Sequence, residues 1–291
     1  MASPSGPYVV CIGAATLDTI FAVPRHPGAD ERVVASELVR AGGGPAATAA
    51  VALARLGVPV SFVGAVGDDA VGEEIRGGLA REGVDVSELA VVPDARSAES
   101  AILVEADGGG RTIVAYLGTL PPLQLGARAR QLCRGAAWTH VDHLGYGAVV
   151  GEGLRVSVDG GNPIPRLDLH GVALYAPTES ALGEAFGNGA RAIDAGAELV
   201  VVTRGGGGSV AYTRGGDVLE APAFELEPVS TLGAGDVFHG ALLAQLAQQV
   251  PLADALAAAN ACAALSCRAL DGRSAIPTAE ELEAVLTGSR V

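Results

Sequence analysis

The chain has 291 residues, of which 49% are hydrophobic, 18% are charged and 4% are aromatic, and its formal net charge is −14. This length suits one large α/β domain or one domain with a small appendage, and the acidic charge argues against nucleic acid or an anionic membrane surface as a partner. The sequence contains no lysine, which excludes a Walker-type phosphate loop and Schiff-base chemistry, because both need a lysine side chain.

The first third of the chain predicts elements of two kinds. The stretch "YVVCIGAATLD" predicts a short buried strand that ends at Asp18, and two shorter, more polar strands follow it. A glycine cluster at 42–44 then opens an Ala-rich helix that ends at Gly57, before a strand and a helix of mixed charge. The alternating stretch "SAILVEADGGGRTIVAYLG" predicts a hairpin about a glycine turn.

From Pro121 onward the pattern changes to alternating helices and strands, among them a helix near 179–195 and two helices near the end of the chain. This alternation predicts an α/β fold with a mainly parallel central sheet covered by helices on both faces. The short strands near 19–40 and 97–118 do not fit this rhythm. We expect them to pair as a small separate sheet, discontinuous in sequence, over one edge of the main domain.

The segment "STLGAGDVFHG" at residues 230–240 joins a small-residue turn to an acid and a helix. The first amides of a helix have no intrahelical partner, so the turn Gly233-Ala234-Gly235 is a candidate for holding a phosphate. Asp236 could then accept a proton from an attacking hydroxyl, as carboxylates do in phosphoryl transfer. An ordinary N-cap aspartate is the alternative, and the local pattern leaves both interpretations open.

Two glycine-rich segments and one acid are further candidates for ligand contacts. The glycines at 42–44 could approach a ligand's hydroxyls closely or form an ordinary tight turn before a helix. The loop in "VVVTRGGGGSVAY" could pass under a nucleotide, although a lone glycine loop is a weak signal. Asp18 could contact substrate hydroxyls or act as a turn aspartate.

The segment "THVDHLGYG" is a candidate cleft wall and not a metal site. His140 and His143 have H-x-x-H spacing, but on a strand this spacing places the two rings on opposite faces. Tyr146 and the stretch at 159–162 follow predicted strands and could line a cleft.

The four cysteines are scattered and form no C-x-x-C pair, so we expect reduced, buried thiols and no zinc site. The first residues show neither the basic flank nor the long apolar run of a signal peptide, and Arg, Asp or Gly interrupts the other apolar stretches. We therefore expect a cytoplasmic protein that does not enter a membrane.

Two of these segments together carry a family resemblance. The stretch "GGGPAATAAVALARLG" followed by "FVGAVGDDAVGEEI" resembles the N-terminal signature of the ribokinase-like (PfkB-type) carbohydrate kinases, and "STLGAGDVFHGALLA" resembles their C-terminal signature. The order, the spacing and the terminal "GRSAIPT" agree over almost the whole chain. The branch that contains sulfofructose kinase is the most similar, with ketohexokinase and ribokinase more distant.

The resemblance implies a three-layer ribokinase-like fold over residues 1–291, with the discontinuous strands forming a β-sheet lid. It also implies ATP-dependent phosphorylation of a sugar hydroxyl with Mg²⁺, and homodimers that pair through the lids. Asp236 would be the catalytic base, and Gly233, Ala234 and Gly235 would form the anion hole. The implied acceptor-sugar contacts are Asp18, Arg32, Gly42, Gly43 and Tyr146. The implied nucleotide contacts are Thr203, Gly205, Gly208 and, on the helix that borders the adenine, Asn260.

The sequence departs from the family pattern at several positions. Ser230 replaces an aspartate of the monovalent-cation site, so potassium activation is not expected. Thr178 and Ala181 replace the Asn and Glu of an Asn-x-x-Glu segment that organises Mg²⁺, with Glu179 nearby, so the metal ligands stay unassigned. Ala47 replaces an asparagine that bonds the sugar.

The substrate is left open by the sequence. A sulfonate needs cationic donors, and Arg32 is the one aligned candidate, so sulfofructose is not assigned. A neutral or phosphorylated ketose, or a nucleoside, fits the pattern, as does a ligand-binding protein that keeps the fold with impaired kinase chemistry. A nicotinamide-dependent Rossmann enzyme is disfavoured, because the first strand leads to "GAATLD" and not to G-x-G-x-x-G.

Overall fold

The computed structural model describes residues 6–105 and 110–288. The strands of the large sheet are β1 (Val9–Ile12), β4 (Val60–Gly67), β5 (Asp85–Val92), β8 (Trp138–Val141), β9 (Val156–Gly160), β10 (Val172–Pro177), β11 (Leu199–Thr203), β12 (Ser209–Thr213) and β13 (Val218–Ala221). Their order is β13-β12-β11-β10-β9-β8-β1-β4-β5. All neighbours from β11 to β5 pair in parallel, and only β12 pairs antiparallel, with β11 on one side and with β13 on the other. The predicted mainly parallel sheet is confirmed.

Helices cover both faces of this sheet. They are α1 (Pro45–Arg55), α2 (Ala70–Arg81), α3 (Ala127–Gly135), α4 (Tyr146–Val149), α5 (Glu179–Ala185), α6 (Gly189–Asp194), α7 (Ala234–Ala247), α8 (Leu252–Ser266) and α9 (Ala279–Leu286). Helices α1, α2, α7, α8 and α9 pack in one apolar cluster, and α3 to α6 pack in a second cluster. The small side chains let α1 and α7 approach closely, because a Cβ at Gly240 would overlap the backbone of Ala49.

A second sheet of four strands confirms the predicted lid. Its strands are β2 (Thr16–Val23), β3 (Glu37–Gly43), β6 (Glu99–Glu105) and β7 (Arg111–Tyr116), in the order β3-β2-β6-β7. Ile20, Ile102 and Val104 form its buried face and pack with Leu232 and Leu270 of the main body. The glycine turn predicted between β6 and β7 falls at 106–109, outside the described residues, as do both ends of the predicted 1–291 domain.

Three details differ from the sequence-based expectations. The chain leaves the main sheet after Ile12, so Asp18 lies within β2 of the lid and not at the end of β1. Strands β5 and β13 were not predicted, because edge strands with one polar face have weak apolar runs. The helix expected near 179–195 is two helices, separated where Gly187 has a φ of 84° and Asn188 caps α6.

The remaining global expectations concern thiols and membrane spans. All four cysteines are free and buried, as expected. In the described part of the chain, no helix is both long enough and apolar enough to cross a membrane.

Candidate active site

A cavity of about 940 Å³ lies between the lid and the carboxyl ends of the main strands. Its walls include the segments that follow β1, β8 and β9, the glycine segment 42–44 and the start of α7. Ligands in open α/β sheets bind at the carboxyl ends of the strands, and most pockets for small molecules are concave sites of this size. This cavity is therefore the candidate active site.

The turn before α7 presents free amides to the cavity. Gly233 is the N-cap of α7, with a φ of 73° that favours glycine. Gly233, Gly235 and Asp236 line the cavity, and within the described residues their amides donate to no protein acceptor. Ala234 does not line the cavity, and its amide donates to the Thr231 carbonyl at 3.3 Å. Free amides at the start of a 14-residue helix form a site suited to an anion.

Asp236 lies in the first turn of α7, three residues after the N-cap, so it is not the N-cap aspartate that the sequence left open. Its side chain is partly exposed, but the exposed surface faces the cavity. Removal from bulk water, reinforced by the charge of Asp159, raises the pKa of Asp236 to about 7. A carboxylate with this pKa can accept a proton from a hydroxyl near neutral pH.

A buried ion pair lies behind Asp236, one helical turn along α7. The Nδ1 atom of His239 is 3.2 Å from the Oδ2 atom of Asp159. Burial alone would lower the pKa of His239, but Asp159 raises it, and His239 in turn lowers the pKa of Asp159 against the effect of burial. His140 is also close: one side-chain nitrogen or oxygen atom from each of His140, Asp159 and His239 lies within 4.8 Å of the other two. Burial lowers the pKa of His140 to about 3, so this imidazole is neutral.

Three predicted acceptor contacts meet at the junction of β2, β3 and α1. Asp18 lines the cavity and accepts a hydrogen bond from the Thr16 hydroxyl at 2.9 Å. Gly42 and Gly43 line the same wall, and a Cβ at Gly43 would overlap the Asp18 carboxylate. Burial raises the pKa of Asp18. The glycine is needed here because the backbone passes directly beside the carboxylate.

The two other predicted acceptor contacts differ from each other. Tyr146 lines the cavity with its ring, and its hydroxyl donates to the Asp168 carbonyl at 2.8 Å and accepts from the Asp168 amide at 3.0 Å. Its hydroxyl is therefore occupied by the protein. Arg32 is exposed and does not line the cavity, so the structure does not bring it to the other predicted contacts.

Arg273, in the "GRSAIPT" segment, is a site residue that the sequence reasoning missed. Its guanidinium is buried and donates to the Gly43 carbonyl at 2.6 Å and to the Thr48 hydroxyl at 3.1 Å. Burial lowers the pKa of Arg273 to about 10, and the carboxylates of Asp18 and Asp236 act in the opposite direction. The segment agreed with the family pattern, but nothing in it indicated a contact with residues more than 200 positions away.

Asp142 is a second missed residue, and it holds the floor of the cavity together. Its buried carboxylate accepts hydrogen bonds from four amides, at distances of 2.7–3.2 Å. The donors are Ala14, Ala46, Leu144 and Gly145. Burial raises the pKa of Asp142, and the amides oppose this shift. One side chain thus joins the ends of β1 and β8 to the start of α1.

A neighbouring groove of about 510 Å³ is lined by residues 223–227 and Gly206, and none of the four predicted nucleotide contacts lines it directly. Thr203 lines the main cavity beside this groove, and Gly205 begins the intervening turn. Gly208 has a φ of 80°, and a Cβ there would overlap the Ala221 carbonyl.

Asn260 acts on this groove indirectly. Its side-chain amide donates to the carbonyls of Ala221 and Pro222, at 3.2 Å and 2.9 Å, and so fixes the segment that forms the groove wall.

The positions that depart from the family pattern have local roles in the structure. Ser230 is buried, and its hydroxyl accepts a hydrogen bond from the Leu232 amide at 3.2 Å. Thr178 lines the cavity and caps α5. Glu179 is exposed and does not line the cavity.

Comparison with known proteins agrees with this geometry. The model of the pfkB family of carbohydrate kinases matches residues 7–130 and 178–279. The ATP-dependent ribose-1-phosphate kinase of Halopiger xanaduensis is 30% identical over 96% of this chain and 98% of its own, and a fructokinase of Klebsiella pneumoniae is 32% identical over 84% and 92%. The structure of Arabidopsis thaliana ribokinase complexed with ribose and ATP has the same fold, with a TM-score of 0.84, 23% identity and coverage of 97% and 99%. The chain belongs to the pfkB family of carbohydrate kinases and is a phosphotransferase.

Proposed function

We propose that this enzyme uses ATP to phosphorylate a hydroxyl of a small carbohydrate, with Asp236 as the general base and the turn at 233–235 as the anion hole. One observation carries the proposal. The carboxylate of Asp236 and the free amides of Gly233 and Gly235 face one cavity, between the Asp18 wall and the groove beside Thr203. A proton acceptor and an anion site side by side are what in-line phosphoryl transfer needs.

In this mechanism Asp18 and the backbone at Gly42 and Gly43 hold the acceptor through its hydroxyl groups. Asp236 takes the proton of the attacking hydroxyl as the new oxygen–phosphorus bond forms. The amides of Gly233 and Gly235 stabilise the negative charge on the transferring group without any reorganisation, because the helix start already fixes them. The apolar lid residues Ile20 and Ile102, which also line the cavity, exclude water that would compete with the acceptor. Ala234, whose amide is occupied, contributes only the turn geometry.

The residues present fit a nucleotide and Mg²⁺. The exposed ring of Phe224 and the side chain of Leu226 give the groove an apolar wall for a nucleobase. Asn162 lines the cavity and would hold Mg²⁺ through its side-chain oxygen, together with phosphate oxygens and water, whereas the carboxylate of Asp159 is already paired with His239 and accepts the Gly161 amide. Bound Mg²⁺ supplies positive charge to the phosphates. Because Ser230 offers no carboxylate, we expect activity without potassium.

We propose that the acceptor is a ketose or a related small carbohydrate. The relatives from Halopiger and Klebsiella, named for ribose 1-phosphate and fructose, support this class. Assignment to the sulfofructose kinase branch stays a prediction, and Arg32, its expected sulfonate contact, lies away from the cavity.

We expect purified protein with ATP and Mg²⁺ to release ADP with at least one member of a panel of ketoses, aldoses, their phosphates and nucleosides. A coupled assay for ADP measures this. The acceptor with the highest kcat/KM identifies the substrate class. If that acceptor is a nucleoside, the enzyme is a nucleoside kinase. Thermal stabilisation by ATP and a sugar without ADP release across the whole panel would instead indicate a binding protein, and would contradict the proposal.

The pKa of Asp236 predicts a pH dependence with a defined sign. Only the ionised carboxylate can accept a proton, so log kcat/KM should rise by about one per pH unit below pH 7 and level off above it. Four neighbouring charges contribute to this pKa, so the apparent value is a property of the whole cluster and not of Asp236 alone. These neighbours are Asp159, Asp142, His239 and Arg273. A profile measured at saturating ATP that stays flat down to about pH 5 would exclude Asp236 as the base.

We also propose that residues 1–291 form one kinase domain in the cytoplasm and that two copies pair through their lids. Every residue of β7 is exposed, and Val114 and Tyr116, which do not line the cavity, are 66% and 49% exposed. Such an exposed apolar strand supports a partner surface at the lid.

A further inference from the structure

Few cationic side chains of the described residues face the phosphates that the cavity would bind, and His239, which also lines it, is paired with Asp159. Among the described residues, three carboxylates line the cavity, those of Asp18, Asp159 and Asp236. The chain has no lysine, and among the described residues that line the cavity Arg111 is the only arginine. Phosphoryl transfer spreads negative charge over the equatorial oxygens of the moving group, and kinases place cationic side chains against this charge. The position of Arg111 therefore matters for the chemistry.

Arg111 reaches from the lid to the start of the anion hole. It is the first residue of β7, and its Nη1 atom donates to the Thr231 hydroxyl at 2.9 Å. Thr231 lies two residues before Gly233, whose free amide faces the same cavity. The contact crosses 120 residues of sequence and joins the lid to the turn where the phosphoryl group would sit.

The guanidinium of Arg111 has no ion-pair partner among the described residues, and most of its N–H donors are free to bind a ligand. Within the described residues, no carboxylate lies within ion-pair distance of it, and the Thr231 hydroxyl uses only one of its N–H groups. Seven other arginines of the described chain have a carboxylate partner, as Arg40 has Glu74 at 3.2 Å. An eighth, Arg273, is buried and donates to the Gly43 carbonyl. A guanidinium has five donors in a planar fork that matches a phosphate.

We propose that Arg111 is a catalytic residue that binds the transferring phosphoryl group from the lid side, opposite the amides of Gly233 and Gly235. The inference rests on the proposed kinase function and adds a residue that the family resemblance did not assign. In the step, the oxygen–phosphorus bond to the acceptor forms, the bond between the γ-phosphorus and the ADP oxygen breaks, and the acceptor proton goes to Asp236. Arg111 transfers nothing; it stabilises the charge on the moving group through two N–H donors.

Variants at Arg111 test this role against a simple contact between lid and body. Arg111→Ala should lower kcat by roughly 10²-fold, with the acceptor KM changed by less than about threefold, because the lost interaction strengthens in the transition state. Arg111→Lys should retain intermediate activity, because a lysine keeps the charge but not the fork. Arg40→Ala is the matched control, because Arg40 also joins the lid to the body, at Glu74, but lies away from the cavity. Its kcat should stay within about twofold of wild type.

Chemical rescue separates catalysis from structure. Guanidinium ion at non-denaturing concentration should raise kcat of Arg111→Ala by about tenfold and leave Arg40→Ala unchanged, since only the first variant has a vacant guanidinium position at the reaction centre. Thermal unfolding of each variant checks that the fold is intact. Two outcomes would overturn the proposal and leave the kinase function standing. In the first, Arg111→Ala keeps the wild-type kcat. In the second, Arg111→Ala loses activity to the same extent as Arg40→Ala and guanidinium ion does not restore it. A wild-type protein without ADP release on the whole panel overturns the function itself.

Discussion

Asp236→Asn is expected to lower kcat by about 10³-fold and to leave the affinity for ATP nearly unchanged, which isothermal calorimetry and the coupled ADP assay together measure. The amide of asparagine has the size of the carboxylate but cannot take the proton of the attacking hydroxyl. The backbone amides of Gly233 and Gly235 remain in place, so the anion site keeps its nucleotide contacts. Residual turnover would come from positioning and from the anion hole alone.

The control for this variant is Asp254→Asn in α8. Asp254 occupies the first turn of its helix as Asp236 does in α7, but it is exposed and does not line the cavity. Asp254→Asn removes an exposed negative charge from a helix N-terminus and should cost about 0.3–1 kcal/mol in the free energy of unfolding. Asp236→Asn should not destabilise the fold in this way, because burial raises the pKa of Asp236 and so disfavours its charged form in the folded state. Only Asp236→Asn should affect kcat. Full turnover by Asp236→Asn would remove Asp236 from the mechanism.

Asp142→Ala is expected to lower the free energy of unfolding by about 4 kcal/mol. The substitution removes the shared acceptor of four amides and leaves these donors unpaired in a buried site. Because native domains are stable by only about 5–15 kcal/mol, a loss of this size removes a large part of the stability. Urea denaturation followed by circular dichroism measures it.

Two further variants keep this stability prediction testable if Asp142→Ala does not fold. Asp142→Asn retains the shape and one acceptor oxygen, so its loss of stability should be smaller. Asp194→Ala, at the exposed end of α6, should stay within about 0.5 kcal/mol of wild type. A value for Asp142→Asn equal to that of Asp194→Ala would show that the four amide contacts contribute little.

Much of the fold could be predicted because its signals are local. The glycine cluster before α1 and the turn before α7 mark helix starts within a few residues, and strands buried on both faces appear as short apolar runs. The discontinuous lid was also predicted, because its strands interrupt the helix–strand alternation. The edge strands β5 and β13 were missed, since each has one polar face and a weaker pattern.

The candidate site was predictable only in part. Gly233, Gly235 and Asp236 lie in one short motif, so their proximity follows from the sequence alone. His239 lies in the same motif, three residues after Asp236, and i, i+3 spacing on a helix could have placed it on the same face. Its partner Asp159 comes from β9, and no local signal joins the two.

By itself the sequence determined the α/β class, the lid, the family resemblance and the segment that carries Asp236, because each is indicated by patterns within short segments of the chain. Only the tertiary structure decided that Arg32 lies outside the cavity and that Arg111 and Arg273 lie beside it. The contact of Arg111 with Thr231 spans 120 residues, and that of Arg273 with Gly43 spans 230. Such contacts are set by the packing of whole layers and by the free energy of burying charge, and neither leaves a periodic trace in the sequence.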